Sequence, residues 1–272
     1  MARVEYGLQM YSLRDITGDD LKGALKQVAD MGYKYIEFAG FFGHKAEDVR
    51  SWLDEYGLVC SGTHTGGEAL AEDVLADTIA YHKAIGCSYI AVPYTATEDR
   101  PGGPNFGKTL NEIRNFAELC KKAGIQLLYH NHDFEFQKIN GKYILEHYYD
   151  EIPADLLQTE LDVCWVNVGG EEPAPYVRKY TGRAPLLHVK DFTGVKSNNM
   201  YNLIGQDAVR DESAAKFDYR PVGYGKQDVP AIVAAAEDAG VQWLIVEQDR
   251  CSMGRTALEC AEMSVKYLKS FL

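Results

Sequence analysis

The sequence predicts an α/β fold, a single closed (β/α)8 barrel of the TIM type. Three observations lead to this class: a repeated helix–glycine–strand unit, eight short apolar runs, and no nucleotide-binding glycine motif after the first run. The chain has 272 residues, of which 46% are apolar and 25% charged, as is usual for globular proteins. Barrels of about 250 residues commonly form one domain. We therefore expect one domain over residues 1–272.

The repeated unit is an amphipathic helix that ends at a glycine and leads into a short apolar run. It is seen first in Asp20–Gly40 and again in Asp48–Gly66. A glycine directly after a helix suits the left-handed conformation that terminates helices at low cost. The glycines in this position are Gly32, Gly57, Gly86, Gly124 and Gly240.

The apolar runs are short and do not alternate strictly with polar residues. This pattern is typical of parallel strands that are buried on both faces. The predicted strands are Tyr6–Leu13, Tyr35–Ala39, Val59–His64, Tyr89–Tyr94, Gln126–His132, Leu157–Val163, Pro185–Lys190 and Trp243–Gln248. Weaker helices, Tyr143–Tyr149 and Ala174–Tyr180, precede the sixth and seventh strands, and a final helix, Thr256–Leu272, closes the ring.

Eight such units form either a closed barrel or an open, doubly wound sheet. A doubly wound nucleotide-binding protein should carry GxGxxG after its first strand, but this strand runs into YSLRDITGDD, and GxxxxGK[ST] is also absent. The barrel is therefore favoured, with its active site at the carboxyl ends of the strands. The long connection after the seventh strand, Phe192–Asp228, is predicted to be a lid over the site, with an inert insertion as the alternative.

Charge and composition limit the partners of the protein. Lys and Arg total 28 against 40 Asp and Glu, a net charge of −12, and no basic cluster occurs, so we expect no nucleic-acid partner. No apolar run of 18 residues and no signal-peptide core is present, so we expect no membrane association. The six cysteines lack CxxC spacing and indicate reduced, mostly buried thiols of a cytoplasmic protein. The sequence leaves open whether the chain forms a homo-oligomer.

Ionisable residues collect at the ends of the third and the fifth to eighth predicted strands. They are His64, then His130, His132 and Glu135, then Glu160 and Asp162, then His188, Lys190 and Asp191, and finally Glu247 and Asp249. Residues two apart share a strand face, so we expect His130 with His132, Glu160 with Asp162, and His188 with Lys190 to point to the barrel mouth in pairs. Burying these charges requires a partner. A divalent cation with nitrogen and oxygen ligands is one solution, and Mn²⁺, Zn²⁺, Co²⁺, Fe²⁺ and Mg²⁺ are all compatible; a metal-free network of salt bridges is the other.

The order of these endings resembles the xylose isomerase-like TIM barrels, sugar phosphate isomerases and epimerases related to endonuclease IV. The resemblance runs from GLQMYSLRD to the last helix. It implies a divalent metal, Mn²⁺ as the first choice, held by Asp162 of LDVCW, His188 of LHVKD and Glu247 of IVEQD. His130 of HNH stands where many members have Glu, and is the implied fourth ligand. The HNH and HVKD endings are similar to the branch with inosose dehydratases and enzymes of 3-keto sugars and 3-keto glycosides.

The reaction expected at such a metal site proceeds through an ene-diolate. A metal bound by a carbonyl and its neighbouring hydroxyl acidifies the adjacent C–H, and a base removes the proton. Reprotonation isomerises or epimerises the sugar, whereas loss of a β-substituent dehydrates or eliminates. We expect the catalytic groups to be Glu247, His132, Glu160 and Lys190, with His130 as a further base. Lys190 would neutralise the oxyanion or, alternatively, form a salt bridge to Glu160 or Asp162.

The remaining candidates concern a carbohydrate substrate. Glu37, His64 and Tyr94 are expected to bind hydroxyls, Trp165 to form a floor for the sugar or pack in the core, and Glu135 to orient His132 or lie in the loop. A phosphate group would need Arg250, Arg255, Gly223 or Gly225, and we expect an unphosphorylated substrate. The first function is a metal-dependent isomerase or epimerase of a sugar or keto-sugar. The alternatives are a lyase or hydrolase of a keto-sugar, inosose or 3-keto glycoside, an endonuclease IV-like phosphodiesterase, and a non-catalytic sugar-binding barrel.

Overall fold

A closed barrel of parallel strands forms the centre of the computed structural model, which describes residues 4–71, 73–196 and 217–272. The strands are β1 (Glu5–Gln9), β2 (Tyr35–Phe38), β3 (Val59–His64), β4 (Tyr89–Val92), β5 (Gln126–His130), β6 (Lys138–Ile139), β7 (Lys142–Tyr143), β8 (Leu157–Asp162), β9 (Leu186–Val189), β10 (Asp191–Thr193), β11 (Asp218–Arg220) and β12 (Trp243–Val246). Around the barrel the order is β1, β12, β9, β8, β5, β4, β3 and β2, so the predicted fold class is confirmed.

The helices lie between successive barrel strands. They are α1 (Arg14–Thr17), α2 (Leu21–Met31), α3 (Ala46–Tyr56), α4 (Leu75–Ala84), α5 (Phe106–Lys122), α6 (Ile144–Glu151), α7 (Val163–Val168), α8 (Pro173–Lys179), α9 (Val229–Ala239) and α10 (Ala257–Lys269). Short 3-10 helices occupy Met10–Leu13, Gly67–Leu70, Thr97–Asp99 and Phe134–Phe136. Among the described residues, no helix combines the length and apolar character needed to cross a membrane.

The predicted helix-terminating glycines take the left-handed conformation. Gly32 follows α2 with φ 91° and caps the helix, because its amide donates hydrogen bonds to carbonyls of the last helical turn. The other four also have positive φ: Gly57, Gly86, Gly124 and Gly240. The helix ends therefore lie where the sequence predicted them, because a side chain at these φ values would be strained.

One predicted strand is wrong in its length. The first strand was expected to reach Leu13, but β1 ends at Gln9 and the chain turns into a 3-10 helix. The Gln9 side chain accepts a hydrogen bond from the Tyr11 amide at 3.0 Å, which stabilises this turn. Each of the other seven predicted strands begins and ends within two residues of the observed bounds.

The interior of the barrel changes from apolar to polar along its axis. Ala91, Leu128, Leu186 and Ile245 form a separate buried apolar cluster inside the barrel. Because side chains alternate faces, the residues two positions further along these strands share the interior face. After Leu128, Leu186 and Ile245 these are His130, His188 and Glu247. The polar groups therefore stand on an apolar base at the carboxyl end, where barrel active sites lie.

The long connection after β9 begins and ends as an antiparallel hairpin of β10 and β11. Phe217, next to β11, stacks on Phe192 with ring centroids 4.8 Å apart. Most of the predicted lid, residues 197–216, lies outside the described residues. The cysteine prediction is confirmed: all six are free, and only Cys251 is exposed.

Candidate active site

His188, on β9, lies between two carboxylates at the centre of the mouth. Its Nδ1 is 2.7 Å from Glu247 Oε2, and its Nε2 is 2.6 Å from Glu37 Oε2. Gln9 donates a second hydrogen bond to the same Glu37 oxygen at 2.8 Å. All four side chains are at least 96% buried, so these contacts are made away from water. Burial alone would lower the pKa of His188, but the surrounding carboxylates outweigh it and raise the pKa well above its ordinary value.

A second group forms around Glu160 on β8. His64 Nε2 lies 2.7 Å and His130 Nδ1 3.1 Å from Glu160 Oε2. Glu160 is fully buried, and its other oxygen, Oε1, has no hydrogen-bond partner among the described residues. Burial and the Glu160 charge also raise the pKa of nearby Glu37, to about 7, although its histidine neighbours oppose this. The two carboxylates therefore share the field of the same imidazoles.

The two oxygens of Asp162, at the end of β8, have different surroundings: one caps a helix and the other faces the site. Oδ1 accepts hydrogen bonds from the amides of Cys164 and Trp165 and so caps α7. Oδ2 accepts no hydrogen bond among the described residues, and lies 4.0 Å from His130 Nε2 and 3.3 Å from Lys190 Nζ. Asn131 accepts a hydrogen bond from the Asp162 amide at 3.0 Å. A buried carboxylate oxygen without a donor is available to a cation.

Lys190 carries the positive charge of the cluster. Its ammonium group is 2.9 Å from Glu247 Oε2 and 3.3 Å from both Asp162 Oδ2 and an Asp249 oxygen. The predicted salt bridge to Asp162 is therefore present, whereas its other suggested partner, Glu160, contacts the histidines instead. Burial would lower the pKa of Lys190, but these carboxylates raise it well above its ordinary value. The side chain is charged at neutral pH.

The residues predicted to bind a metal are brought together. One ligand atom from each of His130, Asp162, His188 and Glu247 lies within 4.8 Å of all the others. A second group of this kind, with the same spacing, consists of His64, His130, Glu160 and His188. Mixed imidazole and carboxylate donors fit a first-row divalent cation or Zn²⁺. The donor set and the unbonded Asp162 Oδ2 are consistent with such a cation.

A cavity of about 420 Å³ opens above the cluster. Its lining residues are Tyr11, Ala39, Gly40, His64, Gly66, Pro93, Tyr94, His130, His132, Lys190, Glu247 and Asp249. Of the predicted substrate-binding residues, His64 and Tyr94 line this cavity. The His132 ring stacks on Phe134, with centroids 5.3 Å apart and planes at 6°, which fixes its orientation. Burial, followed by the charges of neighbouring His130 and Lys190, lowers the pKa of His132 well below its ordinary value, so it is neutral at pH 7.

Four predicted site residues lie beneath the cavity wall instead. Glu37 and Glu160 do not line it, and they contact the histidines that do or that lie beside them. Trp165 is 1% exposed, stacked on Phe217 and 5.7 Å from the His132 ring, and is a core residue under the site. Glu135 binds the Tyr129 hydroxyl and the His132 amide, so it holds His132 in place as one alternative predicted.

The residues suggested for phosphate binding have other partners. The amides of Gly223 and Gly225 donate to the Asp191 carboxylate, and Arg255 pairs with Glu259 at 3.2 Å. None of these residues lines the cavity, and Arg250 does not line it either. No arginine is among the described residues that line the cavity.

Two lining residues with polar side chains, Asp249 and Tyr11, were missed by the sequence reasoning as site members. Asp249 shares a face with Glu247 two positions earlier, and this spacing was a usable signal. Tyr11 carried no signal, because it was placed inside the first strand instead of in the 3-10 helix that follows.

A parallel barrel with a buried histidine and carboxylate cluster under a cavity at its carboxyl mouth has the form of a (β/α)8 enzyme. The chain belongs to the xylose isomerase-like TIM barrel family, whose sequence profile matches residues 25–270. The predicted resemblance is thereby confirmed. It is similar to the inosose dehydratase of Geobacillus kaustophilus, with 20% identity over 61% of this chain and 60% of that protein. The chain thus matches less than two thirds of that dehydratase.

Solved structures share the fold over nearly the whole chain. A sugar phosphate isomerase/epimerase from Parabacteroides distasonis superposes with a TM-score of 0.74 and 24% identity, covering 100% of this chain and 95% of that one. The probable 3-DHS dehydratase involved in petrobactin synthesis from Bacillus anthracis gives 0.75 at 13% identity, covering 99% and 100%. An L-ribulose 3-epimerase gives 0.69 at 14% identity, covering 99% and 94%.

Proposed function

We propose that this protein is a divalent-metal-dependent isomerase or epimerase of a sugar or keto-sugar that works through an ene-diolate. The observation that supports this most is the convergence of His130, Asp162, His188 and Glu247 under a cavity walled by a neutral imidazole and an ammonium group. The isomerases and epimerases among the structural neighbours agree with the assignment. Mn²⁺ is the ion that we propose first, with Zn²⁺, Co²⁺, Fe²⁺ and Mg²⁺ as alternatives.

Those four residues would hold the cation. When bound, it would supply Lewis acidity, which polarises the substrate carbonyl and its neighbouring hydroxyl. The protein's own groups orient the sugar: we propose that Tyr94 and His64, which line the cavity, contact its hydroxyls. Trp165 contributes from below by packing against the His132 ring.

His132 is the proposed base for proton transfer. It is neutral at pH 7, lines the cavity and has no hydrogen-bond partner at Nδ1 among the described residues. It takes the proton from the carbon next to the carbonyl, and the electron pair moves onto the carbonyl oxygen, where the Lys190 ammonium stabilises the charge. Return of this proton to the former carbonyl carbon, with transfer of the hydroxyl proton between the two ene-diolate oxygens, isomerises the sugar. Epimerisation needs a second group on the opposite face, and Glu247, which lines the cavity, is the candidate. Burial would raise its pKa, but Lys190 and His188 lower it well below its ordinary value, so Glu247 acts there as a carboxylate base and the proton for the other face comes from solvent.

A lyase reaction is the second candidate, and Asp249 favours it. This carboxyl group lines the cavity, and burial raises its pKa even though Lys190 opposes the shift. Protonation of Asp249, which the raised pKa favours, would let this group transfer a proton to the leaving oxygen at the β-carbon while the ene-diolate electrons form the new C=C bond. Water or an alcohol then departs. The dehydratases among the similar proteins point the same way.

Incubation with keto-sugars and 3-keto glycosides in D₂O, with added Mn²⁺, tests the proposal. We expect deuterium at the carbon next to the carbonyl, with the product otherwise an isomer of the substrate. Loss of water or an aglycone, seen by mass spectrometry, would instead establish the lyase. His132→Gln should slow exchange by about 100-fold or more, because it removes the base. His147→Gln is the matched control, since His147 bonds to the Ile139 carbonyl away from the cavity. No exchange and no elimination would contradict both functions.

A further inference from the structure

Both histidines of the proposed metal site have their far ring nitrogen against a buried carboxylate. His130 Nδ1 is 3.1 Å from Glu160 Oε2, while its Nε2 faces Asp162. His188 Nε2 is 2.6 Å from Glu37 Oε2, while its Nδ1 faces Glu247. The same arrangement therefore occurs twice, on two different strands.

The two carboxylates are themselves held from behind. Gln9 donates to Glu37 at 2.8 Å, and His64 lies 2.7 Å from Glu160. Gly62 leaves room for the Glu37 carboxylate, since a Cβ there would lie 2.9 Å from Glu37 Oε1. Both Glu37 and Glu160 are fully buried, so neither meets the cavity. These contacts are made in addition to the contact of each carboxylate with a ring of the proposed metal site.

We propose that Glu37 and Glu160 are positioning residues of the metal centre. Glu160 accepts the N–H of His130, and Glu37 that of His188, which leaves the other nitrogen of each ring for a cation held together with Asp162 and Glu247. An imidazole that binds a cation through one nitrogen is neutral and keeps one N–H, so a carboxylate on that N–H selects the tautomer, fixes the ring plane and makes the other nitrogen a better ligand. This inference rests on the proposed metal-dependent function.

A competing arrangement uses some of the same atoms. If Glu160 were itself a ligand, with His64, then His130 Nδ1 and His188 Nε2 would have to bind the cation. Those nitrogens cannot bind a cation and donate a proton to a carboxylate at once. The 2.6 Å contact of Glu37 with His188 Nε2, and the unbonded Asp162 Oδ2 beside the cavity wall, favour Asp162 and Glu247 as the ligands.

The test is Mn²⁺ binding by chelator-treated full-length protein, followed by calorimetry and by the EPR spectrum of the bound ion. We expect Glu160→Gln to weaken binding by about 10- to 100-fold at a stoichiometry of one, because outer partners of metal ligands have effects of this size. His64→Asn should change affinity by less than about threefold. Asp162→Asn should weaken binding more than Glu160→Gln does. Glu5→Gln, at an exposed carboxylate of β1, is the matched control.

A double-mutant cycle separates positioning from a general structural effect. In a His130→Gln background, Glu160→Gln should cost less than about threefold, because its partner is already gone. An additive loss would overturn the inference. If Glu160→Gln does not fold, Glu37→Gln in wild-type and His188→Gln backgrounds asks the same question on the other strand.

The outcomes distinguish this inference from the function on which it rests. Wild-type protein that binds no divalent cation would overturn both. Wild-type protein that binds Mn²⁺, together with a Glu160→Gln variant of equal affinity and unchanged EPR spectrum, would overturn the positioning role alone. Loss of binding in His64→Asn with retention in Asp162→Asn would also overturn it, in favour of the competing ligand set.

Discussion

Asp162 and Asp191 follow neighbouring barrel strands and are equally buried, yet their carboxylates have opposite surroundings. Asp191 accepts hydrogen bonds from four backbone amides, those of Phe192, Gly223, Gly225 and Gln227, at 2.8 to 3.0 Å. Asp162 accepts two at one oxygen and none at the other. The first carboxylate is fully used by the chain around it. The second keeps one oxygen for the site.

The difference shows how a buried acid can be assigned before any ligand is known. Saturation by backbone donors compensates the cost of burial and ties a loop to the barrel, which is a structural role. An oxygen that accepts no hydrogen bond and faces imidazole and ammonium groups is compensated by charge instead, by Lys190 and, when one is bound, by the proposed cation. Substitution of Asp191 should therefore lower the stability of the protein, whereas substitution of Asp162 should lower its proposed activity.

The largest effect on folding is expected at Asp191. Asp191→Asn replaces an acceptor oxygen with an amide that faces N–H groups, and should lower the free energy of unfolding by about 4 kcal/mol, as the loss of several buried bonds does. Urea denaturation measures this. Gly225→Ala should act similarly, because its Cβ would lie 2.1 Å from Asp191 Oδ1. Asp228→Asn, at an exposed helix cap with one amide partner, should change the free energy of unfolding by less than about 1 kcal/mol, because Asn caps helices about as well as Asp. Equal losses of unfolding free energy in Asp191→Asn and Asp162→Asn would contradict the difference between these two carboxylates.

Asp162→Asn should reverse the pattern. The amide oxygen can keep capping α7, so the free energy of unfolding should change by less than about 1 kcal/mol. Deuterium exchange into a keto-sugar should fall at least about 100-fold, or about 2.7 kcal/mol in barrier height, because a proposed metal ligand is lost. A fully active Asp162→Asn protein would remove Asp162 from the site. Parallel denaturation curves show whether any lost activity follows unfolding instead.

Each oxygen of the Glu135 carboxylate accepts one hydrogen bond, fewer than Asp191 accepts, and this difference predicts a pH dependence of stability. The donors are Tyr129 and the His132 amide, and burial raises the pKa of Glu135 from 4.5 to about 7. The folded protein then keeps a proton that the unfolded chain releases, so this group makes stability fall as pH rises from about 5 to about 7. We expect Glu135→Gln to remove about 2 kcal/mol of that fall between about pH 5.5 and 7. Parallel slopes for the two proteins would show that Glu135 does not titrate in this range.

The sequence predicted the barrel because its signals are local. A terminating glycine and a short apolar run are visible within some twenty residues, as in Asp20–Gly40. The same locality explains the error in the first strand: the apolar run continues past Gln9, and the hydrogen bond from the Tyr11 amide to Gln9 that ends β1 has no sequence signature.

The sequence predicted which strand ends carry the site residues, but not how deeply each side chain is buried. Period-two alternation places Glu160 and Asp162 on one face, but only the register of β8 against β5 and β9 puts Glu160 beneath the histidines. The position of Glu37 likewise depends on the barrel closing across β1 and β9. Asp191 was visible in HVKD, yet three of its four amide partners come from more than thirty residues away.

The charge of Lys190 also affects the order in which the protein folds and binds the proposed cation. Its ammonium, together with the imidazoles, already balances the carboxylates of Asp162, Glu247 and Asp249. We therefore expect the barrel to reach its native state without a cation, and binding of the proposed cation to be a late and reversible step. The proposed site would then take up whichever suitable divalent ion is most available around the folded protein.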